Sequence, residues 1–267
     1  MMLAIRTAEE EQLVPRCGVS LVAAVDEEYE HAGVKSVAES GRNFCAAVVG
    51  EPTSLSVVAA HKGQTYFRIR THGKAAHTST PQHGLNAIYA MAEVIRTIRL
   101  RAEPAFMASP HPLCGASVLT VSLVEGGQSE HIVPDRCEIS MDLRQSPGER
   151  WARTRERLRT WLVEELGEEA AGRVEVQDPY HAAPALETRV SHPLVKRLAA
   201  ATKGTIGAAK VTGAAYNTDA GVLSDAGVPA VVFGPGDIAQ AHGVHEWVDL
   251  EQVAAATEVL VRLLADW

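Results

Sequence analysis

Three acidic residues in succession, Asp26-Glu27-Glu28, follow the apolar, β-branched run Val19 to Val25. Another carboxylate, Glu51, follows the short apolar run Ala46 to Val49, within Gly50-Glu51-Pro52-Thr53. An imidazole, His242, sits in the glycine-rich stretch Gly234 to Glu246, just beyond Ala230-Val231-Val232-Phe233. Each feature alone is commonplace: acids at a helix start are favoured by the helix dipole, and a loop acid or histidine usually faces water. What they share is position. The apolar runs read as buried strands of a parallel sheet, and open α/β folds place their ligands at the C-terminal edge of such a sheet. Carboxylates and an imidazole converging there form an oxygen and nitrogen donor set that suits zinc, cobalt or manganese.

Holding that set together requires a sheet. Val19 to Val25 predicts a strand buried on both faces, and Ala46 to Val49 predicts a second strand that Pro52 stops. Residues 2 to 12 have the texture of a helix end. From about Gly63 the pattern changes. Tyr66 to Arg70 alternates like a half-exposed strand, Leu85 to Leu100 has helical spacing, and strands follow at Val118 to Val124 and Cys137 to Leu143. An Arg/Glu-rich helix from Gly148 to Leu166 and a short strand, Val174 to Val176, complete a β-α-β-β-α-β order. That order predicts a ferredoxin-like layer of four antiparallel strands under two helices.

After Pro179 the α/β texture returns, with helices near His192 to Thr202 and Asp219 to Ala226, the strand Ala230 to Phe233 and an amphipathic helix from Leu250. Residues 1–62 are too few to cover a sheet on both faces, so they are expected to share one parallel sheet with 179–267. Residues 63–178 then form an inserted domain.

The formal net charge of −8 argues against a nucleic-acid or anionic-membrane partner, either of which rewards a concentrated basic surface. No apolar run approaches the roughly 20 residues of a membrane helix, and the N-terminus lacks the pattern of a signal peptide, so a cytoplasmic location is the default expectation. Cys17, Cys45, Cys114 and Cys137 form no Cys-x-x-Cys pair, which excludes a zinc ribbon and leaves small buried residues or inert thiols. Chemistry on a small molecule is the expectation that remains.

Several short strings occur in an informative order: Val25-Asp26-Glu27-Glu28, Gly50-Glu51-Pro52-Thr53-Ser54, Gly73-Lys74-Ala75-Ala76-His77-Thr78, Gly126-Gly127 through Ile132-Val133-Pro134-Asp135, Asp142-Leu143-Arg144, Gly234-Pro235-Gly236 and Ala241-His242. The set resembles the dizinc amidohydrolases and peptidases that include acetylornithine deacetylase, succinyl-diaminopimelate desuccinylase, aminoacylase and carboxypeptidase G. The resemblance implies a zinc-peptidase-like α/β catalytic domain with an inserted ferredoxin-like α+β dimerisation and lid domain, a homodimer, and a place in amino-acid metabolism. It also implies two divalent metal ions, zinc or cobalt, and cleavage of the amide bond of an N-acyl amino acid or small peptide. Glu27 matches the general base, which takes a proton from the attacking water and passes it to the leaving amine. Glu28 and His242 match ligands of the first metal and Glu51 a ligand of the second. His77 resembles the inserted domain's oxyanion-stabilising histidine, which acts across the dimer, and Arg144 an arginine that binds the substrate's carboxylate, a task its planar fork suits. His131 stands where many relatives carry Asn, at a position tied to substrate or oxyanion binding.

One departure is large. Members of the family normally carry a preceding segment with a His-x-Asp motif and a later Asp that bridges both metals, and no histidine precedes Asp26 here. The expectation is therefore an N-terminally incomplete catalytic domain that holds metal poorly and hydrolyses slowly or not at all by itself. The alternative is a non-catalytic dimerisation or binding relic of the family.

Overall fold

The computed structural model describes residues 1–13 and 18–267, so Cys17 lies outside the described residues. Helices α1 (Met2–Glu10) and α2 (Ala32–Glu39) precede strands β1 (Ala47–Val49), β2 (Val57–His61) and β3 (Gly63–His72). Helix α3 (Ala87–Thr97) passes through a π-helical turn, Ile98–Ala102, into α4 (Glu103–Met107). Next come β4 (Val118–Gly126), β5 (Arg136–Gln145), α5 (Trp151–Leu166), the short α6 (Glu168–Ala171), and strands β6 (Val174–Val176), β7 (His181–Ala183) and β8 (Leu186–Glu187). The chain finishes with α7 (Pro193–Ile206), β9 (Val211–Ala214), α8 (Asp219–Asp225), β10 (Ala230–Val232) and α9 (Leu250–Asp266).

These elements form two compact units, 1–62 with 184–267, and 63–183. The second boundary falls later than the sequence pattern places it because β7 pairs with β3, through Gln64 opposite Ala183, and draws residues 179–183 into the inserted unit.

In the 63–183 unit the strand order is β4-β5-β3-β6, all antiparallel, with β7 as an additional partner of β3. Strand period sets its core. Cys137, Ile139, Met141 and Leu143 point to one face of β5 and are buried, and Phe67 and Ile69 do the same on β3. Against them pack Met91, Val94 and Ile98 from one helical stretch and Leu158 and Leu162 from α5. The start of α3 is fixed by Asn86, whose Oδ1 accepts from the Ile88 and Tyr89 N–H groups.

The other unit has a sheet ordered β1-β10-β2-β8, with β9 also on β2. It is mixed, not parallel throughout: β1–β10 and β2–β9 run parallel, while β10–β2 and β2–β8 run antiparallel. The cause is the short Gly50–Ser56 connection, since a parallel return needs a crossover of a dozen or more residues. Val58, Leu186, Ala230 and Val232 of this sheet pack with Ala220 and Leu223 of α8 and Val34 of α2.

The expected strand at Val19 to Val25 does not form. Residues 18–26 are irregular, and Val19, Leu21, Val22 and Val25 are exposed. A β-branched run becomes a strand only where a neighbour takes its backbone hydrogen bonds, and none does so among the described residues. Of the cysteines, Cys137 is buried, Cys114 half-buried and Cys45 exposed, all three as free thiols. No helix among the described residues is long and apolar enough to cross a membrane.

Candidate functional site

Glu27 and Glu28 stand on a closed turn rather than at a strand end. Asp26, in the left-handed region at φ 64°, accepts from the His31 N–H through its backbone oxygen at 2.7 Å. Its carboxylate accepts from the Glu30 and Ala32 N–H groups. The Gly33 N–H donates to the Val25 carbonyl, and a Cβ on Gly33 would fall 2.4 Å from the Val25 nitrogen, so only glycine permits this closure.

Glu51 does follow a strand. Its turn is stitched to the loop after β10: the Phe233 N–H donates to the Val49 carbonyl, and the Gly234 carbonyl accepts from the Thr53 and Leu55 N–H groups. A Cβ on Gly234 would lie 2.6 Å from the Glu51 carbonyl oxygen, so the two backbones approach each other as closely as glycine allows. The same loop leads to His242, at φ 59°, whose Nε2 is 3.7 Å from Glu28 Oε1 with both side chains exposed.

The electrostatics bind these residues into one neighbourhood. Glu51 has its pKa pushed up to about 7, first by burial and then by the charges of Glu27, Glu28 and Asp219, with His242 opposing. Burial likewise raises Glu27, with Asp219 and Glu28 adding to the rise and His31 and His242 opposing it. Four carboxylates and two imidazoles at such close quarters are an unfavourable concentration of negative charge that a divalent cation offsets, and oxygen with imidazole nitrogen is the donor chemistry zinc and cobalt accept. The residues present fit a metal centre.

Two members of this neighbourhood were not singled out from sequence. His31 is 2% exposed, and its Nδ1 lies 2.9 Å from Oδ1 of the buried Asp219. Together with Glu27 they present ligand atoms all within 4.8 Å of one another. The only local signal was Thr218, a capping residue type ahead of an apolar run; its hydroxyl does accept from the Ala220 N–H at the start of α8. Nothing in the spacing of His31 and Asp219 links them.

His77, His131 and Arg144 belong to the 63–183 unit. The structure brings the first two together: His77 bridges Ile132, and the Thr78 N–H donates to the His131 carbonyl. Both side chains are exposed. The Ser79 N–H donates to His77 Nδ1 at 3.1 Å, which makes that nitrogen an acceptor and leaves Nε2 to carry the proton of the neutral ring. His131 contacts the Ser129 hydroxyl. Arg144 lies apart from them on β5, where its Nε donates to Asp142 Oδ2 at 3.1 Å.

Residues 1–266 match the model of peptidase family M20/M25/M40. The chain is 29% identical over 251 residues to the acetylornithine deacetylase of Myxococcus xanthus, an alignment that covers 92% of this chain and 64% of that protein. It therefore spans just under two thirds of the length of that relative. Among solved structures, it resembles the aminopeptidase PepT of Bacillus cereus with a TM-score of 0.77 at 21% identity, covering 98% of this chain and 68% of the other. It also resembles the Bacillus subtilis YXEP protein, described as a dinuclear metal binding peptidase, with a TM-score of 0.69 at 16% identity, covering 99% and 69%.

Proposed function

Because the chain belongs to peptidase family M20/M25/M40, we propose that its carboxylate and imidazole cluster serves metal-dependent hydrolysis of the amide bond of an N-acyl amino acid or small peptide. The observation that supports the reading is that Glu28 Oε1 lies 3.7 Å from His242 Nε2, while the charges of Glu27 and Glu28 act on the half-buried Glu51. Glu28 and His242 would hold one divalent ion and Glu51 a second, zinc or cobalt. When bound, such ions polarise the scissile carbonyl and make water a stronger acid.

The chain's own residues supply the remaining steps. Glu27 accepts the proton of the attacking water on a carboxylate oxygen and returns it to the departing amine nitrogen, and burial raises its affinity for that proton. His77, reaching across the homodimer into the neighbouring subunit's site, donates its Nε2–H to the carbonyl oxygen as negative charge develops there, an interaction worth about 3 kcal/mol of barrier for one such donor. His131, beside it, contacts the substrate or the same oxygen. Arg144 takes the substrate's carboxylate, oriented by its bond to Asp142. Three donors shared between two ions fall short of the three protein ligands common to a single catalytic zinc, so the reading includes weak metal retention and slow turnover by this chain alone.

The inserted unit supports a further part of the reading, a homodimer built through a ferredoxin-like layer. Strand β4 pairs with β5 alone among the described residues, and its Leu123 and Val124 are exposed. An open edge with apolar side chains is a surface that proteins cover. Light scattering should give twice the chain mass; a monomer at micromolar concentration would remove this part.

The central test is hydrolysis of N-acetyl and N-succinyl amino acids by zinc- or cobalt-loaded protein, followed by release of the free amine. Glu27→Gln should lower the rate by about 10²- to 10⁴-fold. A rate that survives Glu27→Gln would refute the assignment of the base. An absence of metal-dependent amine release with every substrate would refute the reaction.

A further inference from the structure

His31 is the buried member of an otherwise exposed acidic turn: it is 2% accessible, whereas Asp26, Glu28, Tyr29 and Glu30 are exposed. Both of its ring nitrogens are engaged. Nδ1 lies 2.9 Å from Asp219 Oδ1 and Nε2 lies 3.3 Å from Asn217 Nδ2. A carboxylate only accepts, so Nδ1 carries the proton, and Nε2 then offers its lone pair to the Asn217 amide N–H. That arrangement satisfies the imidazole entirely with protein groups.

The partners of His31 are themselves braced. Between them, Thr218 accepts from the Ala220 N–H, and its hydroxyl faces Nε2 of the fully buried His61 at 3.1 Å. His61 Nδ1 lies 3.0 Å from the Lys62 carbonyl, which only accepts, so Nδ1 is the protonated nitrogen and Nε2 accepts from Thr218. Gly221 makes room for this contact, since a Cβ there would fall 2.1 Å from the Pro184 carbonyl oxygen and 3.0 Å from His61 Cε1. The Asn217-Thr218-Asp219 turn is thus fixed from the His61 side and offers a rigid purchase to His31.

Glu27 lies beside that purchase, with a carboxylate oxygen within 4.8 Å of a ring nitrogen of His31 and of a carboxylate oxygen of Asp219. Its turn needs an anchor. Asp26 and His31 both hold positive φ, at 64° and 58°, and residues 18–25 before the turn have no strand partner among the described residues. Non-glycine residues keep such backbone only where their surroundings over-determine it.

We propose that His31 is a positioning residue whose Nδ1–H bond to Asp219 latches the Asp26–His31 turn to the start of α8 and thereby sets where the Glu27 carboxylate stands. The catalytic consequence rests on the proposed role of Glu27 as base; the latch itself does not.

Hydrogen–deuterium exchange on the whole, metal-free chain tests it. His31→Asn keeps a donor near the place of Nδ1 and tolerates the left-handed backbone; His31→Gly relaxes the backbone but has no donor; Asp219→Ala removes the acceptor. Peptides covering 26–33 should exchange about five- to tenfold faster in His31→Gly and Asp219→Ala, the scale of one hydrogen bond, and near the wild-type rate in His31→Asn. The double variant should be no faster than either single one, and β3 and β5 should keep their protection throughout as the control for folding. Unchanged exchange in His31→Gly overturns the latch, as does His31→Asn loosening as much as His31→Gly. Zinc affinity should be the same in wild type and His31→Asn; its loss in both His31→Asn and His31→Gly, without loosened exchange, would make His31 a ligand and overturn the proposal. In the amide assay, His31→Gly should lower kcat more than it raises KM, with His31→Asn restoring kcat. A wild-type chain that hydrolyses nothing while the exchange pattern holds refutes the reaction alone, and hydrolysis with an unaltered exchange pattern refutes the latch alone.

Discussion

From Gly63 to His72 every residue of β3 has a register partner on β5, whereas from Gly18 to Glu30 no residue has a strand partner among the described residues. The first region repeats one interaction, so its side chains alternate predictably and many residues share each load. The second holds the residues on which the proposed chemistry depends, and it hangs on few contacts that do not repeat: the backbone closure at Asp26, the close approach of Gly33 to Val25, and the contact of His31 with Asp219. The contrast teaches that stability and chemistry are assigned to different parts of this chain. Substitutions should therefore sort by region, harming folding in the ladder and geometry in the turn.

The largest effect should come from the ladder's core. Phe67 is fully buried on β3 and meets the tilted ring of Trp151 at 4.5 Å between centroids. Phe67→Ala should cost about 3–5 kcal/mol in urea unfolding, and a loss near zero would break the comparison. Next is an acid-side effect in the other unit. Burial pushes the His61 imidazole from 6.5 down to about 4, so the folded state binds fewer protons than the unfolded chain between those values. The stabilisation from keeping this ring neutral is complete above 6.5 and lost as pH falls towards 4, by about 3 kcal/mol, and His61→Gln should flatten that slope in urea midpoints measured across the window. Smaller still is a cap: Asn86→Ala should remove about 1 kcal/mol by leaving the Ile88 and Tyr89 N–H groups without their acceptor, which thermal melts would resolve. Smallest of all, Val22→Ser in the unpaired segment should change stability by no more than about 0.5 kcal/mol. A large loss there would show that the segment is packed, and the contrast between the two regions would fall.

How much was legible from sequence follows the same division. The alternation in Cys137 to Leu143 announced β5 and its buried face, because period two is written locally. Glu51 and His242 fall beyond β1 and β10 as expected, each following a short apolar run that forms a strand, half-buried in β1 and fully buried in β10. Val19 to Val25 has the composition of a strand, but strand formation depends on a neighbour that composition does not specify. The mixed sheet was missed because direction depends on how the chain connects β1 to β2, whereas the apolar runs specify burial alone. His31 and Asp219 were beyond reach: they are 188 positions apart, and an imidazole meeting a carboxylate leaves no period in either segment.

The inserted unit begins and ends at one place. Gln64 is the register partner of Ala183, and on the other side of the junction His61 is the partner of Leu186. In the language of genes, codons 63–183 form a cassette whose two ends are spliced at a single point. Removing it would leave β2 and β8 antiparallel and adjacent, with Lys62, Pro184 and Ala185 between the paired His61 and Leu186, the length of a three-residue hairpin loop. The excised block would have its own termini side by side, the arrangement under which circular permutation and transplantation into a new host are tolerated. A lineage, or an engineer, could exchange this cassette without redrawing the sheet that carries Glu51.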